Sequence, residues 1–124
     1  MKRAIVIPIA IATLLVLAFA TTNAYRVATV EISFAKERPA TVRTIEFTVN
    51  GLKCRGTSNL FARQIAQVPG VVSLTTYART HTALVEYDPT VTDAAVIRAA
   101  AVEPIVQDGN TYEVFEVVGE RTHD

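Results

Sequence analysis

The sequence predicts an α+β fold: an antiparallel sheet with two helices on one face, in the order strand, helix, strand, strand, helix, strand from residue 42 onward. Three observations predict it. Ile45, Phe47 and Val49 alternate with polar neighbours, the period of a half-buried strand. Phe61, Ile65 and Val68 fall at i, i+4 and i+7, the stripe of a helix packed on one side. Breakers at Asn50-Gly51, Pro69-Gly70, Asp88-Pro89, Pro104 and Asp108-Gly109 divide the chain into short elements.

Taken in order, residues 25–35 alternate as well, with Ala28, Val30, Ile32 and Phe34 on one side, so an extra strand precedes the core. Lys36-Glu37-Arg38-Pro39 is a polar break, and Val42 to Val49 is the first core strand. The loop Gly51 to Gly56 follows, and Thr57, Ser58 or Asn59 is expected to cap the first helix. Asn59, Arg63 and Gln67 lie on its polar face, and Pro69-Gly70 stops it. Val71 to Tyr77 and Thr82 to Tyr87 form a hairpin about Arg79-Thr80-His81. Thr92 or Asp93 starts an Ala-rich helix whose Val96, Ile97, Ala100 and Ala101 make a small apolar face. Asp108-Gly109 signals a type I′ hairpin between Ile105 to Gln107 and a last strand over Thr111 to Val118. The whole order is the split βαββαβ arrangement of ferredoxin-like folds.

The first 24 residues read differently. Ala4 to Ala20 are apolar except for Thr13 and follow Lys2 and Arg3. A helix over these seventeen residues reaches about 25 Å, and extension to Ala24 about 31 Å. Two readings compete: a signal peptide cleaved after Ala18-Phe19-Ala20 or Thr22-Asn23-Ala24, and an uncleaved single-pass anchor. The length of the run, beyond the usual 7–15 residues or so of a signal core, favours the anchor. Lys2 and Arg3 favour a cytoplasmic N-terminus, against Arg26, Lys36 and Arg38 on the other side. The expectation is an inner-membrane chain with its domain on the extracytoplasmic side, or, on the signal reading, an exported one. The domains expected are 1–24 as anchor or signal, 25–41 as lead-in strand and linker, and 42–124 as the folded unit.

Composition excludes several functions. Formal net charge is zero, and beyond Lys2 and Arg3 the chain is slightly acidic, without a basic patch interleaved with aromatics, so no nucleic-acid partner is expected. Glu86, Asp88, Glu113 and Glu116 read as surface or turn residues, and no carboxylate pair, Ser/His/Asp set, phosphate loop or zinc-type cysteine pair suggests an enzyme.

The segment Gly51-Leu52-Lys53-Cys54-Arg55-Gly56-Thr57, between the first core strand and the first helix, resembles the Gly-Met-x-Cys-x-x-Cys loop of the heavy-metal-associated family. Pro69-Gly70-Val71 and Ala83-Leu84-Val85-Glu86-Tyr87-Asp88-Pro89 are similar to that family's turn and third strand, and the likeness covers about residues 43–105. The resemblance implies a ferredoxin-like domain that binds soft metals such as Cu(I) or Hg(II), as copper chaperones and periplasmic mercury-binding proteins do. Cys54 matches the family's first ligand; Thr57 stands at the second, Leu52 replaces the Met, and Val102-Glu103-Pro104 stands where a Gly-aromatic turn is usual.

The residues themselves support one good thiolate. Cys54 precedes a helix N-terminus and is flanked by Lys53 and Arg55, all of which favour the ionised sulfur. Soft ions need a further ligand. His81 is expected at the same end of the sheet, and Cys54 of a second molecule would serve equally. Against these stand plainer readings: Cys54 as an inert apolar residue, His81 as a solvated turn residue, and His123 in a disordered C-terminus. Three functions follow. The first is a membrane-tethered module that holds a soft metal through Cys54 and passes it to a transporter or another donor or acceptor protein. The second is a metal-independent interaction module on a degenerate scaffold. The third is a redox thiol at Cys54-x-x-Thr57, which the order of elements opposes.

Overall fold

The structure, a computed structural model, describes residues 10–15 and 27–123. The anchor or signal expected over residues 1–24 and its two cleavage sites lie outside the described residues, apart from 10–15, which are helical and exposed. Among the described residues no helix is long and apolar enough to cross a membrane.

The strands are β1 (Val30–Ser33), β2 (Arg43–Asn50), β3 (Val71–Tyr77), β4 (Thr82–Tyr87), β5 (Ile105–Gln107), β6 (Asn110–Tyr112) and β7 (Glu116–His123). The helices are α1 (Arg55–Ala66) and α2 (Ala94–Ala101), with a single 3-10 turn at Ala78–Thr80. Five strands form one sheet in the order β1-β3-β4-β2-β7, every neighbour antiparallel. Leaving β1 aside, the order β3-β4-β2-β7 is that of a ferredoxin-like βαββαβ unit. β1 is an added edge on β3, so the lead-in strand and the core share one sheet.

Alternation sets which face is covered. Ile45, Phe47 and Val49 of β2, Leu74 of β3 and Ala83, Val85 and Tyr87 of β4 meet Phe61 and Ile65 of α1 and Ile97 and Ala101 of α2 in one buried cluster. Phe115, just before β7, closes that core: its ring meets Phe61 edge to face at 5.2 Å between centroids.

Four expectations need correction. The first helix is capped by Cys54 and not by Thr57, Ser58 or Asn59, because the Thr57 hydroxyl turns back to the Cys54 and Lys53 amides and lets the helix begin at Arg55. Thr111 to Val118 is not one strand. Asp108 (φ 53°) and Gly109 (φ 78°) do make a tight left-handed turn, but it closes only the small separate hairpin β5–β6, and the sheet's last strand starts at Glu116. His123 is consequently ordered in β7, its Nε2 3.0 Å from Glu46 Oε2 across the strand pair. Within α2, Val96 is 50% exposed, since the inward face is set by Ile97 and Ala101.

Candidate metal centre

β2 leaves the sheet at Asn50, and Gly51 turns the chain at φ 101°. A Cβ there would lie 2.1 Å from the Val114 carbonyl oxygen, so only glycine lets the loop pass so close to the segment before β7. Leu52, in the Met position, is fully buried. It anchors the loop from below and leaves Lys53 and Cys54 exposed above it.

Cys54 is extended (φ −153°, ψ −178°) and stands at the N-cap of α1; its carbonyl accepts the first helical bond from the Ser58 amide at 2.9 Å. The Thr57 hydroxyl oxygen accepts from the amides of Lys53 and Cys54, each at 2.9 Å, and lies 3.6 Å from the Cys54 sulfur. Its single proton serves the Cys54 carbonyl at 3.1 Å or the sulfur, not both. The Thr57 amide, then the Thr57 hydroxyl, and more weakly the Gly56 amide, hold the Cys54 thiol below its ordinary value, with slight desolvation opposing them. The sulfur is thus exposed, unbridged and inclined to ionise. The expectation of an inert apolar cysteine is not met at this position.

His81 follows the 3-10 turn in a left-handed conformation (φ 55°, ψ 34°). Two bonds stitch it to the metal loop: its carbonyl accepts from the Val49 amide at 2.7 Å, and its Nδ1 lies 2.8 Å from the Leu52 carbonyl oxygen. A carbonyl only accepts, so Nδ1 carries a proton, and in the neutral ring the lone pair is then on Nε2. That tautomer offers Nε2, and not Nδ1, to a ligand-seeking ion. The Thr29 hydroxyl braces the same turn by accepting from the Ala78 amide at 2.9 Å. Cys54 and His81 therefore stand at one end of the sheet, on neighbouring loops joined through Leu52.

One thiolate and one imidazole are a donor set of the two-coordinate soft-ion type. It does not suit a tetrahedral site, since no group of three or more His, Cys, Asp or Glu side chains gathers among the described residues. The connection after α2 is tied to α1 by Gln64 Nε2, which donates to the Glu103 carbonyl at 2.7 Å.

The family model of the heavy-metal-associated domain matches residues 46–104. Over that segment the chain is similar to heavy-metal-associated domains. Compared with curated proteins and with solved structures, it has no match in either. The heavy-metal-associated segment runs from within β2 through the end of α2; β1, the β5–β6 hairpin and all of β7 lie outside it. Metal binding or handover is the general business of such domains, and this chain departs from them by holding a hydroxyl where a second thiolate is usual. Sequence reasoning missed what that hydroxyl does. A residue able to cap, followed three positions later by one able to bond back, is the spacing of a capping box, and Cys54-x-x-Thr57 has that spacing.

Proposed function

We propose that this chain is a membrane-tethered heavy-metal-associated domain that holds or hands over a soft metal ion of the Cu(I) or Hg(II) type through Cys54. The observation that carries the reading is the exposed Cys54 sulfur at the start of α1, its ionised form favoured by the Thr57 and Gly56 amides and the Thr57 hydroxyl. His81 Nε2 is the second donor within the molecule; Cys54 of a second molecule is the alternative. A site of one strong and one moderate ligand suits transfer more than storage, because an incoming protein with two thiolates out-competes it. The apolar run over Ala4 to Ala20 supplies the tether, with the domain on the extracytoplasmic side and a transporter or another metal-carrying protein as its partner.

The test is metal stoichiometry of the full chain in mild detergent, under reducing conditions, against a colorimetric Cu(I) chelator. Near one ion per chain, abolished by Cys54→Ser and weakened about tenfold or more by His81→Ala, is the expected result, the tenfold step corresponding to ~1.4 kcal/mol. No uptake at micromolar Cu(I) or Hg(II), with the thiol still titrating as one reactive group, overturns the proposal.

A second reading has its own support. The Thr57 hydroxyl is committed to the loop backbone, so the family's second ligand is replaced by a structural group. In that reading the scaffold is a metal-independent interaction module, and Cys54→Ser leaves its function intact.

A further inference from the structure

Charge is divided along this chain in a way the metal site does not use. Between Glu46 and Glu86 there are Lys53, Arg55, Arg63 and Arg79 and no carboxylate; between Arg98 and Arg121 there are only carboxylates. The structure sets these stretches side by side. Lys53 of the metal loop and Glu113 at the foot of the β5–β6 hairpin line the same open groove, of about 690 Å³. Yet Lys53, Arg55, Glu103, Asp108 and Glu113 are all exposed, and none forms an ion pair among the described residues.

The hairpin itself stands off the main sheet as a separate two-stranded piece. It exposes Val106 (70%) and Tyr112 (49%), one on each of its strands. An acidic arm with apolar and aromatic side chains at its centre has the composition of an interface, in which aromatic contacts supply the burial and charges the orientation.

We infer that the β5–β6 arm of one molecule docks on the basic Lys53–Arg55 rim of a second copy of this chain, forming a reciprocal dimer. The occupant is a second copy because this chain carries both complementary surfaces, each unpaired at home. Lys53 of the rim and Glu113 at the foot of the arm also line one groove, so a twofold axis beside it lets each arm reach the opposite rim in the isologous manner of most homodimers. The dimer needs neither metal nor the Cys54 sulfur, and so it stands or falls separately from the metal-binding proposal.

The test is sedimentation of the full Cys54→Ser chain in mild detergent, which removes metal and disulfide bridging. The expected result is self-association that weakens at least about tenfold between 50 and 500 mM salt, because exposed charges are screened over that range. Two charge-reversed chains sharpen it. One carries Glu103→Lys and Glu113→Lys and the other Lys53→Glu and Arg55→Glu; Asp108 is kept because it holds the left-handed turn. Each alone should be monomeric, and an equimolar mixture should form a heterodimer, since the reversed arm then meets the reversed rim and the native arm the native rim. That recovery also shows that both variants are folded. A parent chain that stays monomeric at high micromolar concentration in low salt overturns the inference. So does a dimer indifferent to both reversals.

Discussion

The thiol of Cys54 owes its character to Thr57 more than to its charged neighbours. Replacing Thr57 with Val removes the acceptor for two amides and the hydroxyl beside the sulfur. The thiol pKa should rise, moving the midpoint of its pH-dependent reaction with iodoacetamide upward, and the helix should lose about 1 kcal/mol of capping. Thr57→Cys should do the opposite for metal: with two thiolates in the loop, Cu(I) affinity should climb well beyond tenfold, measured by chelator competition. Gly51 matters for a different reason. A side chain at φ 101° facing the Val114 carbonyl is both strained and obstructed, so Gly51→Ala should cost at least about 2 kcal/mol in denaturant unfolding. Residue identity made Cys54 visible in the sequence. It did not show that His81 would reach the Leu52 carbonyl, because that bond spans two loops whose proximity depends on β2 and β4 pairing.

Helix α2 is short, and its start rests on Asp93, whose carboxylate accepts from the Val96 amide at 3.0 Å. Asp93→Ala should therefore destabilise the domain by about 1 kcal/mol, read from the shift in urea midpoint. Phe115 carries more. It is 6% exposed and packs edge to face on Phe61, so it fastens the chain entering β7 to α1 and steadies the loop against which Gly51 lies. Phe115→Ala should cost about 3–5 kcal/mol. Most elements were legible from period and punctuation: β2, β3, β4 and both helices lie within a few residues of where the pattern puts them. The final strand was not. Thr111 to Val118 alternates well enough to pass for a strand, and only the bond pattern shows that the ladder to β2 runs from Glu116 to His123, with a register shift at Thr48/Val49.

Across the whole molecule, acid should loosen the fold. Arg38 Nη2 and the Ser73 hydroxyl each donate to Glu86 at 2.7 Å, and these bonds hold its carboxyl below the ordinary range. The Thr90 hydroxyl and amide do the same for Asp88. Both groups have folded pKa values depressed below their unfolded ones, so the unfolded chain binds more protons in acid. Their stabilisation is complete at neutral pH and is lost as pH falls below about 5, through each folded pKa. The melting temperature should drop over that window. Arg38→Ala should flatten the drop while costing no more than about 1 kcal/mol at pH 7, because the pair is exposed on the arginine side.

The sequence alone determined the order of the core elements, the likeness to heavy-metal-associated domains and the single candidate thiolate. Each follows from local information: hydrophobic period, turn residues and one short loop. Tertiary structure decided the rest. It made β1 an edge of the same sheet, set the β5–β6 hairpin apart from it, drew His123 into β7 and turned His81 toward the metal loop with Nε2 left open. Those outcomes depend on which strands exchange backbone hydrogen bonds, and antiparallel partners far apart in the chain carry no mark of their pairing in the residues of either strand.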